Sequence, residues 1–230
     1  MSAIPFIHVQ ARGSHREIGR AVGEAAQPQI QTAMAYYRER SCAILGLSFA
    51  TARERAAAYL PWAERHFPQY VEELRGMGEA AHLALEDILV PNCIEELAFA
   101  GPSGDAPRPG LAAGRSCTAV AVSTGGRHIV GHNMDWYAID LDTRVLLDVT
   151  CPGGTRFLML SGMPYLAISG MTSHGLAFVG NSLFSTDDRL GVPRAFISRW
   201  ALEADGLEEA MARVCHPLRS TGCNNLWGDV

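Results

Sequence analysis

Cys117 is the residue best placed to do chemistry. It opens onto Thr118-Ala-Val-Ala-Val-Ser123, whose apolar residues alternate as in a half-buried strand. Before it runs Gly101-Pro-Ser-Gly-Asp-Ala-Pro-Arg-Pro-Gly110, continuing to Ser116, a stretch that can neither prolong a helix nor join a central strand. A thiol at the first residue of a strand, behind an exposed linker, suits a special use. If the bond between Ser116 and Cys117 breaks, the new α-amino group, with an ordinary pKa near ~7.7–8.0, can take the thiol proton as general base. Nucleophile and base then share one residue. Attack of the thiol on the preceding carbonyl, giving a thioester that water resolves, would create that terminus without an outside protease.

Such a site needs an anion to hold the amine and donors for an oxyanion. In Gly131-His-Asn-Met-Asp-Trp136 the acid Asp135 ends the return strand of a hairpin that starts at Cys117, and the spacing of two short strands and a turn brings it back beside the thiol. Asn181 follows the apolar run Leu176–Val179, and its amide or backbone N–H could line an oxyanion hole. Either residue could instead cap a turn. His132 and His174 lie near the same segments and offer the base of a Cys/His hydrolase that needs no self-cleavage.

Cys117-Thr118, a turn, and then Gly-His-Asn-Met-Asp-Trp together resemble the Cys-Thr and G-x-N-x-D-aromatic elements of the penicillin acyltransferase family of self-processing peptidases (peptidase family C45), which are N-terminal-nucleophile (Ntn) hydrolases related to the bile-salt hydrolases. The resemblance takes in His15-Arg-Glu-Ile-Gly-Arg-Ala-Val-Gly23, Asp87-Ile-Leu-Val-Pro-Asn-Cys-Ile-Glu95 and Gly175–Leu183. The 116 residues before Cys117 favour the acyltransferase branch, because bile-salt hydrolases begin almost at the cysteine. The resemblance implies an α+β fold, the four-layer αββα sandwich, preceded by a helical propeptide lobe. It implies Cys117 as nucleophile and amine base, Asp135 as the residue orienting the amine, and Asn181 as an oxyanion contributor. Trp136 and Asn133 would border the acyl pocket, and scission would fall between Ser116 and Cys117 to leave an α/β heterodimer. The substrate would be a small-molecule amide or acyl donor, with acyl-coenzyme A as a possible substrate and no other cofactor. Ser116 stands where the family often has Gly.

These residues must be carried by a particular order of elements. Ile18, Val22 and Ala25 begin a helical periodicity that resumes through 50–64 and 70–85, with Pro68 at a first-turn position. A further amphipathic piece, Leu85 to Ala98, puts Ile88, Leu89, Ile94 and Leu97 on one side. Residues 1–100 read as a helical lobe, 101–116 as the linker and 117–230 as the start of the sheet domain. After the hairpin turn Thr124-Gly-Gly-Arg127, strands are expected at Arg144–Thr150, Arg156–Ser161, Tyr165–Ser169 and Leu176–Val179. Helices follow at Arg194–Ala204 and Leu207–Cys215, the second behind a D-x-x-E cap, Asp205 to Glu208. The expected arrangement is two packed antiparallel sheets flanked by helices. Asn224–Val230 reads as a strand entering the fold with nothing after it, so the second sheet is expected to be incomplete and the chain truncated.

Composition narrows the alternatives. The 230 residues are 48% hydrophobic and 19% charged with a net charge of −5, and the 19 Lys and Arg are scattered, which argues against nucleic acid as a partner. No apolar run approaches ~18 residues, and the N-terminus lacks the charged and apolar regions of a signal peptide, so a cytoplasmic protein without a membrane partner is expected. Six dispersed cysteines without a CxxC pair indicate neither a disulfide framework nor a metal site. Met159, Met163 and Met171 are expected in the core. A catalytically silent binding protein on the same scaffold is the rival from another functional class.

Overall fold

The computed structural model describes residues 6–99, 117–135, 138–183 and 185–229. The linker 101–116, including Ser116, and Trp136 lie outside the described residues. The order is β1 (Ile7–Arg12), then helices α1 (His15–Ala25), α2 (Gln27–Tyr36, continued by a π-turn at Tyr37–Ser41), α3 (Cys42–Ile44), α4 (Phe49–Ala57), α5 (Leu60–His66), α6 (Pro68–Ala81), α7 (Leu85–Asn92) and α8 (Ile94–Phe99). Beyond the linker come β2 (Cys117–Thr124), β3 (Arg127–Met134), α9 (Asp140–Thr143), β4 (Arg144–Thr150), β5 (Arg156–Gly162), β6 (Gly170–Thr172) and β7 (Ala177–Ser182). They are followed by α10 (Arg194–Ala201), α11 (Leu207–Val214) and β8 (Cys223–Gly228).

This is a mixed α+β fold. A six-stranded sheet runs β1-β4-β5-β6-β7-β8, and β2 pairs with β3 as a separate hairpin. The sheet is not wholly antiparallel as expected, because β1, which the periodicity did not reveal, pairs parallel to β4 with Ile7 opposite Val145 and Arg12 opposite Thr150. Val9 and Ala11 of β1 and Val145, Leu147, Val149, Phe157 and Met159 are buried in one core with residues of the helices. Burying this row on one face fixes the register, since a one-residue slip would turn it to the other face.

Ser14 caps α1, its hydroxyl accepting from the Glu17 N–H while Glu17 returns the favour at the Ser14 N–H, the capping box that stops β1 and starts the helix. Helix α1 lies directly on α6: a Cβ at Gly19 would overlap the Glu73 carbonyl, and one at Gly76 the Arg16 carbonyl. Backbones that close require glycine at both positions.

Three sequence expectations are corrected. Leu85–Ala98 is not one amphipathic helix; Pro91 offers no N–H and Cys93 leaves the helical conformation, so two short helices result, with Ile88, Leu89, Val90, Cys93, Ile94, Leu97 and Ala98 all buried. Tyr165–Ser169 is not a strand: the Tyr165 N–H turns back to the Gly162 carbonyl (3.2 Å), and Asn92 accepts from the Leu166 N–H (2.8 Å) while donating to the carbonyl of Pro164 just before it (2.9 Å). The strand falls instead at Gly170–Thr172. The cap of α11 is Gly206, and the carboxylate that receives the Asp205 N–H belongs to Glu209, not Glu208. Met159 and Met163 are buried as expected, whereas Met171 is exposed.

Candidate active site

The alternation Thr118–Ser123 and its return produce the hairpin β2–β3. Gly125 (φ 55°) and Gly126 (φ 72°) supply the two left-handed residues of a tight two-residue turn. The register sets Cys117 opposite Met134, Ala119 opposite His132 and Thr118 opposite Asn133. The hairpin lies over β7 and β8, close enough that a Cβ at Gly228 would meet the Val130 side chain at 2.5 Å. The outward residues Val120, Val122 and Ile129 are exposed.

Cys117 is half-buried in a pocket whose wall includes Glu95, Met134, Tyr165, Gly180, Ser182 and Arg194. Burial pushes the Cys117 thiol up, and this is opposed by the Asp135 N–H and by the nearby charge of Arg194. The Asp135 carboxylate itself is exposed and accepts from the Asn133 amide (2.8 Å). The Asn181 amide nitrogen donates to the Cys117 carbonyl oxygen (3.2 Å) and anchors the main chain of that residue from β7. Its amide oxygen is buried with no partner among the described residues, as is Nε2 of His132. Burial holds the His132 imidazole below its usual range, with Arg194 and Arg144 acting in the same direction and the Asn181 side chain opposing. His174 lies beside Thr155 (3.1 Å) and Asp205 (3.6 Å).

The other thiols differ. Cys42, Cys93 and Cys151 are buried, which pushes Cys42 up to about 11 and Cys151 up to about 12, so they stay protonated and unreactive near neutrality. Cys223 is half-buried and also pushed up to about 11, chiefly by burial, while Cys215 is exposed. Among the described residues no group of three or more His, Cys, Asp or Glu is placed to hold a metal ion, and no helix is long and apolar enough to cross a membrane.

Sequence reasoning missed the charged wall of the pocket. Arg194, the first residue of α10, is buried with Glu95 from α8; its Nη1 binds both carboxylate oxygens of Glu95 and the Ser182 hydroxyl (3.0 Å). Ser182 also donates to Glu95. Burial opposes the Arg194 charge, and the Glu95 carboxylate more than restores it. Glu96, next in sequence, turns the other way and accepts from the Arg194 backbone N–H (2.7 Å) and the Ser220 hydroxyl (2.8 Å). Burial raises its carboxyl to about 7, with the backbone N–H of Arg194 opposing. One signal was available. Two adjacent carboxylates inside Val90-Pro-Asn-Cys-Ile-Glu-Glu-Leu-Ala-Phe99 cannot both face water if their neighbours are core, and a buried acid demands partners.

The model of the family described as acyl-coenzyme A:6-aminopenicillanic acid acyl-transferase matches residues 122–227. A curated relative, the 40 kDa form of acyl-coenzyme A:6-aminopenicillanic-acid-acyltransferase from Emericella nidulans, is 24% identical over 211 residues, which is 91% of this chain and 56% of the relative. The chain thus spans little more than half the length of that protein. The chain is similar to the acyl-coenzyme A:6-aminopenicillanic acid acyl-transferase family, whose model it matches from within β2, beyond Cys117, to within β8.

Proposed function

We propose that the chain is a self-processing cysteine Ntn enzyme that cleaves linear amide bonds or transfers acyl groups through a thioester on Cys117, built on the αββα sandwich of its relatives. The observation that carries the reading is the position of Cys117: first residue of β2, half-buried in a pocket that Arg194 helps to line, with the Asn181 amide at its carbonyl. In maturation the thiol attacks the Ser116 carbonyl carbon, the Ser116–Cys117 C–N bond breaks, and the acyl part passes to sulfur. Water then hydrolyses the thioester, releasing the Ser116 carboxylate and the Cys117 amine. In turnover that amine takes the thiol proton and the thiolate attacks the acyl carbonyl. The leaving group departs with the proton, and water or an acceptor amine resolves the acyl-enzyme. Asp135 holds the ammonium. Asn181 keeps the main chain of Cys117 in place with one N–H and offers the second to the oxyanion. Asn133, bonded to Asp135, and Trp136 border the acyl group. An acyl-coenzyme A is a suitable donor, and the two pieces remain together as an α/β heterodimer in the cytoplasm, where free thiols persist.

Intact mass and N-terminal sequencing of the purified chain test this. The expected result is a cut before Cys117 in the parent and none in Cys117→Ala, with Asp135→Asn lowering acyl turnover by ~10²–10⁴-fold, the weight of a positioned acid–base group. A Cys117→Ala chain cut at the same bond would assign the cut to an outside protease. An uncut chain that turns over through Cys117 would instead favour His132 as base, and an uncut, unreactive one the silent scaffold.

A further inference from the structure

Arg194 is 7% exposed, and its nitrogens are treated unequally. Nη1 is saturated by Glu95 and Ser182, whereas Nη2 has no partner among the described residues. Leaving a buried N–H unpaired is costly, and natural structures rarely do so without a use. The nitrogen sits against Gly180 in the wall of the Cys117 pocket, at a spot where a Cβ on residue 180 would stand 2.5 Å from it. Glycine there leaves Nη2 its place.

The charge balance of the pair sets what this donor can receive. Glu95 already neutralises the guanidinium, so an anion approaching Nη2 meets the carboxylate as well as the cation, while an uncharged carbonyl oxygen finds a fixed donor and no repulsion. We propose that Nη2 of Arg194 is the donor for an uncharged carbonyl oxygen of the acyl substrate presented to Cys117, and that Glu95, acting through Arg194, sets the pocket against acyl groups carrying a carboxylate. This rests on the reading of Cys117 as the nucleophile. It makes a residue of the segment before Cys117 part of the specificity of the site, from 99 positions away in sequence.

Competing alkylation tests it without requiring turnover. The full chain is treated with iodoacetamide, which brings a neutral carbonyl, or iodoacetate, which brings a carboxylate, and labelling of each cysteine is read by peptide mass. The exposed Cys215 in the same molecule supplies the intrinsic ratio of the two reagents. In the parent, Cys117 favours iodoacetamide relative to Cys215. Glu95→Gln leaves the guanidinium uncompensated and moves the ratio at Cys117 toward iodoacetate by about tenfold, while Gly180→Ala displaces Nη2 and brings the ratio to that of Cys215. A ratio in folded Glu95→Gln within about twofold of the parent overturns the proposal, as does a Gly180→Ala protein that keeps the parent preference; should Glu95→Gln fail to fold, Gly180→Ala decides. A chain that shows these ratios yet never cleaves or acylates refutes the proposed function, and of this inference leaves only the preference of the Arg194–Glu95 pair for an uncharged carbonyl beside Cys117.

Discussion

Arg194 and Arg199 lie on the same helix, α10, and each meets a glutamate contributed by the segment before Cys117, but the two pairs are finished differently. Arg199 is fully buried: Nε and Nη2 take the two oxygens of Glu73 at 3.0 Å each, Nη1 reaches Glu203 at 2.7 Å, and the guanidinium lies between the rings of Tyr70 and Phe157. All three of its nitrogens are engaged. At Arg194 Nη1 is engaged but Nη2 has no partner among the described residues, and that nitrogen is at the Cys117 pocket. Burying an arginine costs desolvation in both places. A pair whose donors are all satisfied acts as structure, and a pair with a donor left over in a pocket wall is equipped for a ligand.

The sharpest way to break this contrast is to remove each cation in turn. Arg199→Met leaves Glu73 buried with only His15 (2.9 Å) for a partner among the described residues, and we expect a loss of about 3–5 kcal/mol in urea unfolding, the usual penalty for orphaning one member of a buried pair. Arg194→Met should cost less, about 1–3 kcal/mol, because Glu95 keeps the Ser182 hydroxyl and opens onto the pocket. Equal losses would make Arg194 as structural as Arg199.

Glu96 sharpens the comparison through pH. Its folded carboxyl, raised to about 7 from an ordinary 4.5, stays protonated where the unfolded one ionises. Its contribution is therefore complete below pH 4.5 and is lost as pH rises towards 7, a fall on the order of 2–4 kcal/mol in unfolding free energy across that window. Glu96→Gln should flatten this part of the profile; a profile identical to the parent would mean that another group sets it. The smallest effect is expected on the surface, where Arg16 and Arg20 share Glu79. Glu79→Gln should leave the urea midpoint unmoved, since exposed pairs gain little over water.

What the sequence made legible follows the range of the interactions. The hairpin β2–β3 could be read because alternation and a Gly-Gly turn are local, and its length alone brings residue 135 back to 117. Helices α1 and α6 announced themselves by period. Strand β1 did not: only Val9 and Ala11 of its six residues are buried, too short a pattern to separate from a coil, and its partner β4 lies far along the chain. Glu95 and Arg194 were equally hidden, since nothing local to either names the other. The misread strand at Tyr165–Ser169 shows the converse failure, an apolar run whose first N–H groups go to a local turn at Gly162 and to a distant side chain, Asn92, instead of a neighbouring strand.

The pairing of β1 with β4 also bears on the order of events during synthesis. Gln10 and Asp148, adjacent across that pair, are 138 residues apart, so the sheet cannot close at this edge until the ribosome has delivered most of the chain. Closing so large a loop costs entropy that grows only slowly with length, but it delays the encounter, as high contact order generally does. A cut between the two strands made after that encounter leaves β1 held by its ladder. Made earlier, it would turn a search within one molecule into a meeting of two, at whatever concentration the pieces happen to reach.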